Sequence, residues 1–131
     1  MESSNTYTIP FKGTCLANST KVLVSKRITF PFRVEKITAS FALNCNHTLQ
    51  ISPIVSPDQE APATEKPTGS NLLAPYGQVN YLSGDDEQEV HINQTIVTQT
   101  GMYLKIYANN IDAFDHTIDA QISLTVIRSL E

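Results

Sequence analysis

The stretch HTIDAQISLTVI, residues 116–127, carries Ile118, Ala120, Ile122, Leu124 and Val126 on one parity. Thr117, Asp119, Gln121, Ser123 and Thr125 sit on the other. A period of two is the signature of a strand with one buried and one wet face, because successive Cβ atoms leave opposite sides of the backbone. The pattern repeats along the chain. MYLKIYA (102–108) sets Met102, Leu104, Ile106 and Ala108 against Tyr103, Lys105 and Tyr107. RVEKITASFAL (33–43) places Ile37, Ala39, Phe41 and Leu43 on one side and Val34, Lys36, Thr38 and Ser40 on the other. Read as a helix, that segment scatters its apolar residues and puts β-branched side chains where they lose rotamer freedom.

Further strands are expected at 21–30, with Val22, Val24 and Ile28 on one parity, and at 47–55, with Leu49 and Ile51 on one face. Pro53 should demote the end of the latter to an edge or bulge. In 89–97, Val90, Ile92 and Ile96 share the apolar parity, with His91 and Asn93 opposite. Shorter candidates lie at Thr6–Phe11 and Gly77–Leu82. Asn, Asp and Gly bends at 44–46, 83–86, 100–101 and 109–112 join neighbouring strands. One connection, residues 56–77, holds four of the seven prolines and no period, and is too proline-rich for a helix.

About eight strands without a convincing helix predict an all-β chain: one antiparallel β-sandwich domain over residues 1–131, jelly-roll-like. An immunoglobulin-like sandwich is the alternative, weakened by the absence of tryptophan between the cysteines.

Charge bounds the partners. Charged residues are only 17% of the chain, so uncharged polar side chains must cover much of the surface. Net charge is −4, and no basic cluster exceeds Lys26–Arg27, which supplies no footprint for nucleic acid or an anionic membrane. The N-terminal MESSNTYTIPFKG lacks a signal-peptide pattern. A virion or cytoplasmic assembly is therefore expected over a secreted protein. Cys15 and Cys45 are too far apart for a CxxC pair and are read as reduced, small apolar side chains, with a disulfide as the alternative in an exported chain. N-x-S/T matches occur at Asn18, Asn46 and Asn93.

SGDDEQEVHI (83–92) packs Asp85, Asp86, Glu87 and Glu89 beside His91. Consecutive carboxylates diverge and do not supply the alternating oxygens of a calcium loop, so the stretch reads as a solvated bend, and no metal is expected, these four acids being only weak candidates for calcium. His47, His91 and His116 match no short metal signature, and no nucleophile elbow or glycine-rich phosphate cradle is present. No cofactor and no enzymatic activity are expected.

Tyr76, Tyr81, Tyr103 and Tyr107 are the candidate binding residues, as a stacking platform for sugar rings. Leu72, Leu73 and Pro75 are the candidate interface, burying leucines against a neighbouring subunit. The expected function is a non-catalytic structural or binding module. It would be a homo-oligomer, a trimer by first expectation, inside a larger assembly such as a phage or virion decoration or fibre protein. The alternative is a carbohydrate-binding, lectin-like module, with or without calcium. A hydrolase would require Asp85 and Asp115 to approach one substrate.

Overall fold

A computed structural model describes residues 6–62, 64–76 and 80–127, the side chain of Tyr76 excepted. Among these residues nine strands run in the order β1 (Thr6–Cys15), β2 (Ser19–Val24), β3 (Phe32–Phe41), β4 (Leu49–Ser56), β5 (Ser70–Asn71), β6 (Glu87–Ile92), β7 (Ile96–Val97), β8 (Tyr103–Asn110) and β9 (His116–Val126). They form two antiparallel sheets. The first has the order β1-β9-β3-β6, with the short β7 also pairing β3, and the second has the order β2-β8-β4-β5. Most strands that follow one another in sequence cross from one sheet to the other, as β1 to β2, β3 to β4 and β8 to β9 do. First and last strands pair, Thr6 opposite Thr125 and Cys15 opposite His116. That wrapping is the jelly roll; the immunoglobulin-like alternative falls away. The bends at 44–46 and 111–115 consequently bridge the two layers instead of closing hairpins within one sheet.

Alternation builds the core. Ile118, Ala120, Ile122 and Leu124 of β9 meet Leu104, Ile106 and Ala108 of β8 inside the sandwich, all essentially inaccessible to water. Each such leucine or isoleucine contributes about 1.5–3 kcal/mol on burial. Leu72 and Leu73 are 1% exposed and belong to this same core. This corrects the expectation that they cover a neighbouring subunit. Only Pro75 of that candidate interface is exposed.

Four strand readings change in detail. In β3 both Phe32–Val34 and Ile37–Phe41 bury alternate residues, yet their parities differ. The register slips between Val34 and Lys36 against β9, a bulge at Glu35 that turns the parity over. Leu43, expected inside, is 65% exposed beyond the end of the strand. In β2 the core-facing residue is Leu23, opposite Ile106, whereas Val22 lies on the outer face opposite Tyr107. Ile28 is joined to the same sheet only by an isolated bridge to Met102.

Pro53 does not end its strand. β4 continues to Ser56 as an interior strand between β8 and β5. Ile51 exchanges bonds with Leu82, and the Pro53 carbonyl accepts from Leu72 N–H, so by alternation the missing N–H points to the gap between Leu82 and β5. No ladder bond is lost there. Leu82 contributes one isolated bridge to Ile51, while residues 77–79 of the expected strand lie outside the described residues.

β6 is inverted. Glu87, Glu89 and His91 stand opposite Phe41, Ala39 and Ile37 and so share the inner face, at the sheet edge. Val90, Ile92 and Ile96, expected inside, are 49%, 65% and 58% exposed. The cause lies one residue beyond the strand. Asn93 is completely buried; its side-chain amide donates to the Leu72 carbonyl and its Oδ1 accepts from Thr95 N–H. Those bonds anchor the polar parity inward. Asn93 is thereby unavailable as a glycan acceptor in the folded chain.

The long connection is a strap, with β5 at its end and a 3₁₀ turn at Ala74–Tyr76. Residues 57–62 and 64–69 cross the outer face of the second sheet. Ala61 and Pro62 face Lys21 and Val22 of the far strand β2 across a groove of about 350 Å³. Gly69 (φ 127°) turns the strap onto the sheet where a Cβ would come within 2.6 Å of the Val55 carbonyl.

Candidate functional site

Four connections, 16–18, 42–48, 83–86 and 111–115, gather at one end of the sandwich and are tied to each other by backbone bonds. Asn18 N–H donates to Asp112, Ile111 N–H to Thr48, His47 N–H to Gly84 and Asp86 N–H to Ala42. Every non-glycine residue with a left-handed backbone among the described residues lies here: Asn18, Asn44, Asn46, His47 and Asp86. Asn and Asp adopt that conformation with little penalty, and His47 (φ 60°) less readily. Strained turns of this kind concentrate at functional sites, which makes this end the first place to look.

At its centre three chemistries meet. His116 Nε2 lies 2.9 Å from Asp112 Oδ2, and its Nδ1 lies 3.6 Å from the Cys45 thiol. Thr48 Oγ1 donates to the Cys45 carbonyl and stands 3.4 Å from His116 Nε2. Asn110, buried beside them, donates to the carbonyls of Cys15, Leu16 and Phe114 and accepts from Asp112 N–H. The imidazole, the Thr48 hydroxyl and the backbone Ala113 N–H together hold the Asp112 carboxyl below its ordinary range, the His116 bond contributing most.

A thiol, an imidazole and a carboxylate in line have the order of an activated nucleophile. The environment runs the other way. Cys45 is fully buried, and burial pushes its thiol up, whereas an attacking thiolate requires a lowered pKa and access. What the arrangement does is pin the 42–48 loop to the 111–115 loop. Cys15 is likewise buried, unbridged and raised by desolvation. None of this network was legible as a motif: Cys45 and His116 are 71 positions apart. Only the i,i+4 pair Asp112 and His116 left a local trace.

The acidic bend lies at the same end, but its carboxylates separate. Asp85 accepts from Asn44 N–H at 2.7 Å and so caps the neighbouring loop. Asp86 is exposed. Glu87 and Glu89 share a hydrogen bond along β6, which together with burial raises Glu89, and His47 opposes that rise. Gly84 is fixed by contact, since a Cβ there would lie 2.9 Å from both the Phe41 ring and the Glu87 side chain. Among the described residues no three His, Cys, Asp or Glu side chains converge in a way that could hold a metal ion. Asp115 also stands at this end, but its carboxylate accepts from Ala17 N–H, so it and Asp85 cap different loops.

The tyrosines do not assemble here. Tyr103 and Tyr107 are half-buried on the outer face of the second sheet, opposite Ser56 and Ser52, beside the strap. Tyr81 is half-buried next to the Leu82 bridge, and the Tyr76 side chain lies outside the described residues.

No family model matches the chain, and no curated protein matches it. Among solved structures, that of the infectious bursal disease virus Gt strain has a TM-score of 0.48 at 11% identity, over 94% of this chain and 32% of that one. The Yersinia pseudotuberculosis-derived mitogen has a TM-score of 0.40 at 11% identity, over 95% and 90% of the two chains. A family two carbohydrate esterase from Cellvibrio japonicus has a TM-score of 0.37 at 12% identity, over 98% and 36%. The chain thus spans about a third of the length of the viral chain it resembles, 32%. Likeness at this level carries nothing about binding or catalysis. No helix among the described residues is long and apolar enough to cross a membrane.

Proposed function

We propose that this β-sandwich is a non-catalytic module that works by contact, joining further copies of itself inside a larger assembly such as a virion decoration or fibre. The observation that supports this reading is the row Val90, Ile92 and Ile96, 49–65% exposed along one margin of a face otherwise covered mainly by Thr, Ser, Gln and charged side chains. Aliphatic side chains gathered at one margin of a polar face mark a surface made to be covered. The loop end supports the same reading, because the thiol of its thiol–imidazole–carboxylate set is sealed inside and the set holds two loops together.

The carbohydrate reading has less behind it. Tyr103 and Tyr107 lie on a face that the strap crosses, and among the described residues no flat aromatic platform with an open rim is formed around them. Sedimentation velocity at micromolar concentration tests the assembly reading directly. A mass above that of one 14.5 kDa chain is expected, rising with concentration, and a monomer throughout would overturn it.

A further inference from the structure

We propose that β6 is the contact strand: a second copy of this chain adds its own β6 edge to edge, antiparallel, around a twofold axis at Val90. The proposal rests on the assembly reading above and specifies the surface and the register.

The backbone supplies the template. β6 closes one end of the first sheet, and among the described residues only β3 pairs with it. Asn93 N–H donates to the Glu35 carbonyl, which places residues 93, 91, 89 and 87 in the hydrogen-bonded positions toward β3. Pro10 on the opposite edge of the sheet gives the same phase. Having no N–H, it must occupy a non-hydrogen-bonded position opposite Gln121. Counting alternate positions through β9 and β3 returns to residues 37, 39 and 41 as the ones that bond β6. The N–H and C=O groups of Gln88, Val90 and Ile92 therefore point away from the sheet. Such an edge is a ready acceptor for another strand.

Side chains choose the register. With Val90 opposite Val90 of the second copy, Gln88 faces Ile92, and each of the three outward N–H groups meets an outward carbonyl. On the inner face this register sets Glu89 against His91 of the second copy, twice by symmetry, in the closer, non-hydrogen-bonded type of pair. A carboxylate accepts from imidazole N–H in either protonation state and more strongly from imidazolium. On the outer face the exposed Val90 side chains meet on the axis. Shifting the axis to residue 89 opposes Glu89 to Glu89, and shifting it to 91 opposes His91 to His91; both leave part of the template unpaired. A twofold pair is closed, so the expected unit becomes two chains in place of the trimer anticipated from the sequence.

Three variants test this by sedimentation velocity beside the wild type. Val90→Pro removes an N–H that faces away from β3, a position where an edge strand accepts proline. It should leave the circular dichroism spectrum and melting temperature near wild type and yield a monomer. Glu89→Lys, which opposes Lys to His91, should weaken the dimer about tenfold, and adding His91→Glu should restore it, since each Lys then faces a Glu. If Val90→Pro unfolds the chain, the charge pair decides alone. A wild-type dimer that Val90→Pro or Glu89→Lys leaves unchanged, or a double variant that does not recover, places the contact elsewhere and overturns this proposal while the assembly reading stands. A monomeric wild type removes both.

Discussion

The two sheets bury their inner faces alike and treat their outer faces in opposite ways. Across the first sheet the outer rows run Thr8, Ser123, Lys36 and Ile92, then Pro10, Gln121, Thr38 and Val90; Ser123 and Thr38 in the middle are 8% exposed, and both ends of each row are open. On the second sheet the strap lies over the outer rows, so Ile54 and Ser56 are sealed and Val22 and Ser52 nearly so. Beneath it Lys105, opposite Ile54, is fully buried. Its ammonium reaches Asp58 Oδ1 at 2.8 Å and the Thr68 carbonyl at 3.4 Å, and Thr68 Oγ1 holds the second Asp58 oxygen at 2.6 Å. One face is thus closed by the chain's own loop with an ion pair as its clasp. The other offers an aliphatic margin to something outside the chain. Alternation by itself does not distinguish them, because both faces read as the polar side of a strand.

The comparison breaks most readily where the strap enters the core. Leu72→Ala should cost about 2–5 kcal/mol in urea denaturation, the penalty of a buried leucine cavity. A cost below about 0.5 kcal/mol, the range of an ordinary surface change, would return Leu72 to the surface. Asp58→Ala comes next, because it strands a buried ammonium, and removing one partner of such a pair is worse than removing both. Its melting temperature should fall further than that of Lys105→Met, and a glutamate-specific protease should cut after Glu65 in the strap faster than in the wild type. Equal behaviour of the two variants would mean that the clasp holds nothing.

Acid sharpens the same contrast. The Lys105 ammonium, with Thr68 and Glu60 N–H behind it, holds Asp58 well below its usual 3.8, and Asp112 is held below the same value chiefly by His116. The folded chain therefore binds fewer protons than the unfolded one, so this stabilisation is fully present above about pH 5 and drains away as pH falls through the folded-state values. The stability gap between wild type and Asp58→Asn should narrow between about pH 5 and about pH 2. A gap constant over that range would deny the pairing. The smallest effect belongs to the open margin: Ile92→Thr should shift stability by less than about 0.5 kcal/mol, since its side chain is already in water.

The sequence carried the layers well and the phases unevenly. β8 and β9 are long interior strands whose apolar parity is unbroken, so Leu104, Ile106, Ile118 and Ile122 could be placed inside from spacing alone. β3 contains the Glu35 bulge, an extra residue that spacing cannot reveal. In β6 spacing showed alternation but not which side was wet. That was settled by a single buried amide, Asn93, bonded to Leu72 from a segment 21 residues away. The strap was recognisable as a proline-rich connection, but its burial of Lys105 required knowing that it folds back over its own sheet. The end-of-sandwich network was illegible for the same reason, being assembled from loops brought together only by the jelly-roll wrapping.

Residue-resolved amide hydrogen exchange, compared between dilute and concentrated protein, tests the unlike fates of the two faces most directly. The N–H groups of Gln88, Val90 and Ile92 should exchange fast in dilute solution and slow markedly as the chains associate, while the amides of Asp58 and Glu60 in the strap keep the same rates at both concentrations. Association accompanied by new protection along the strap, with β6 unchanged, would contradict it.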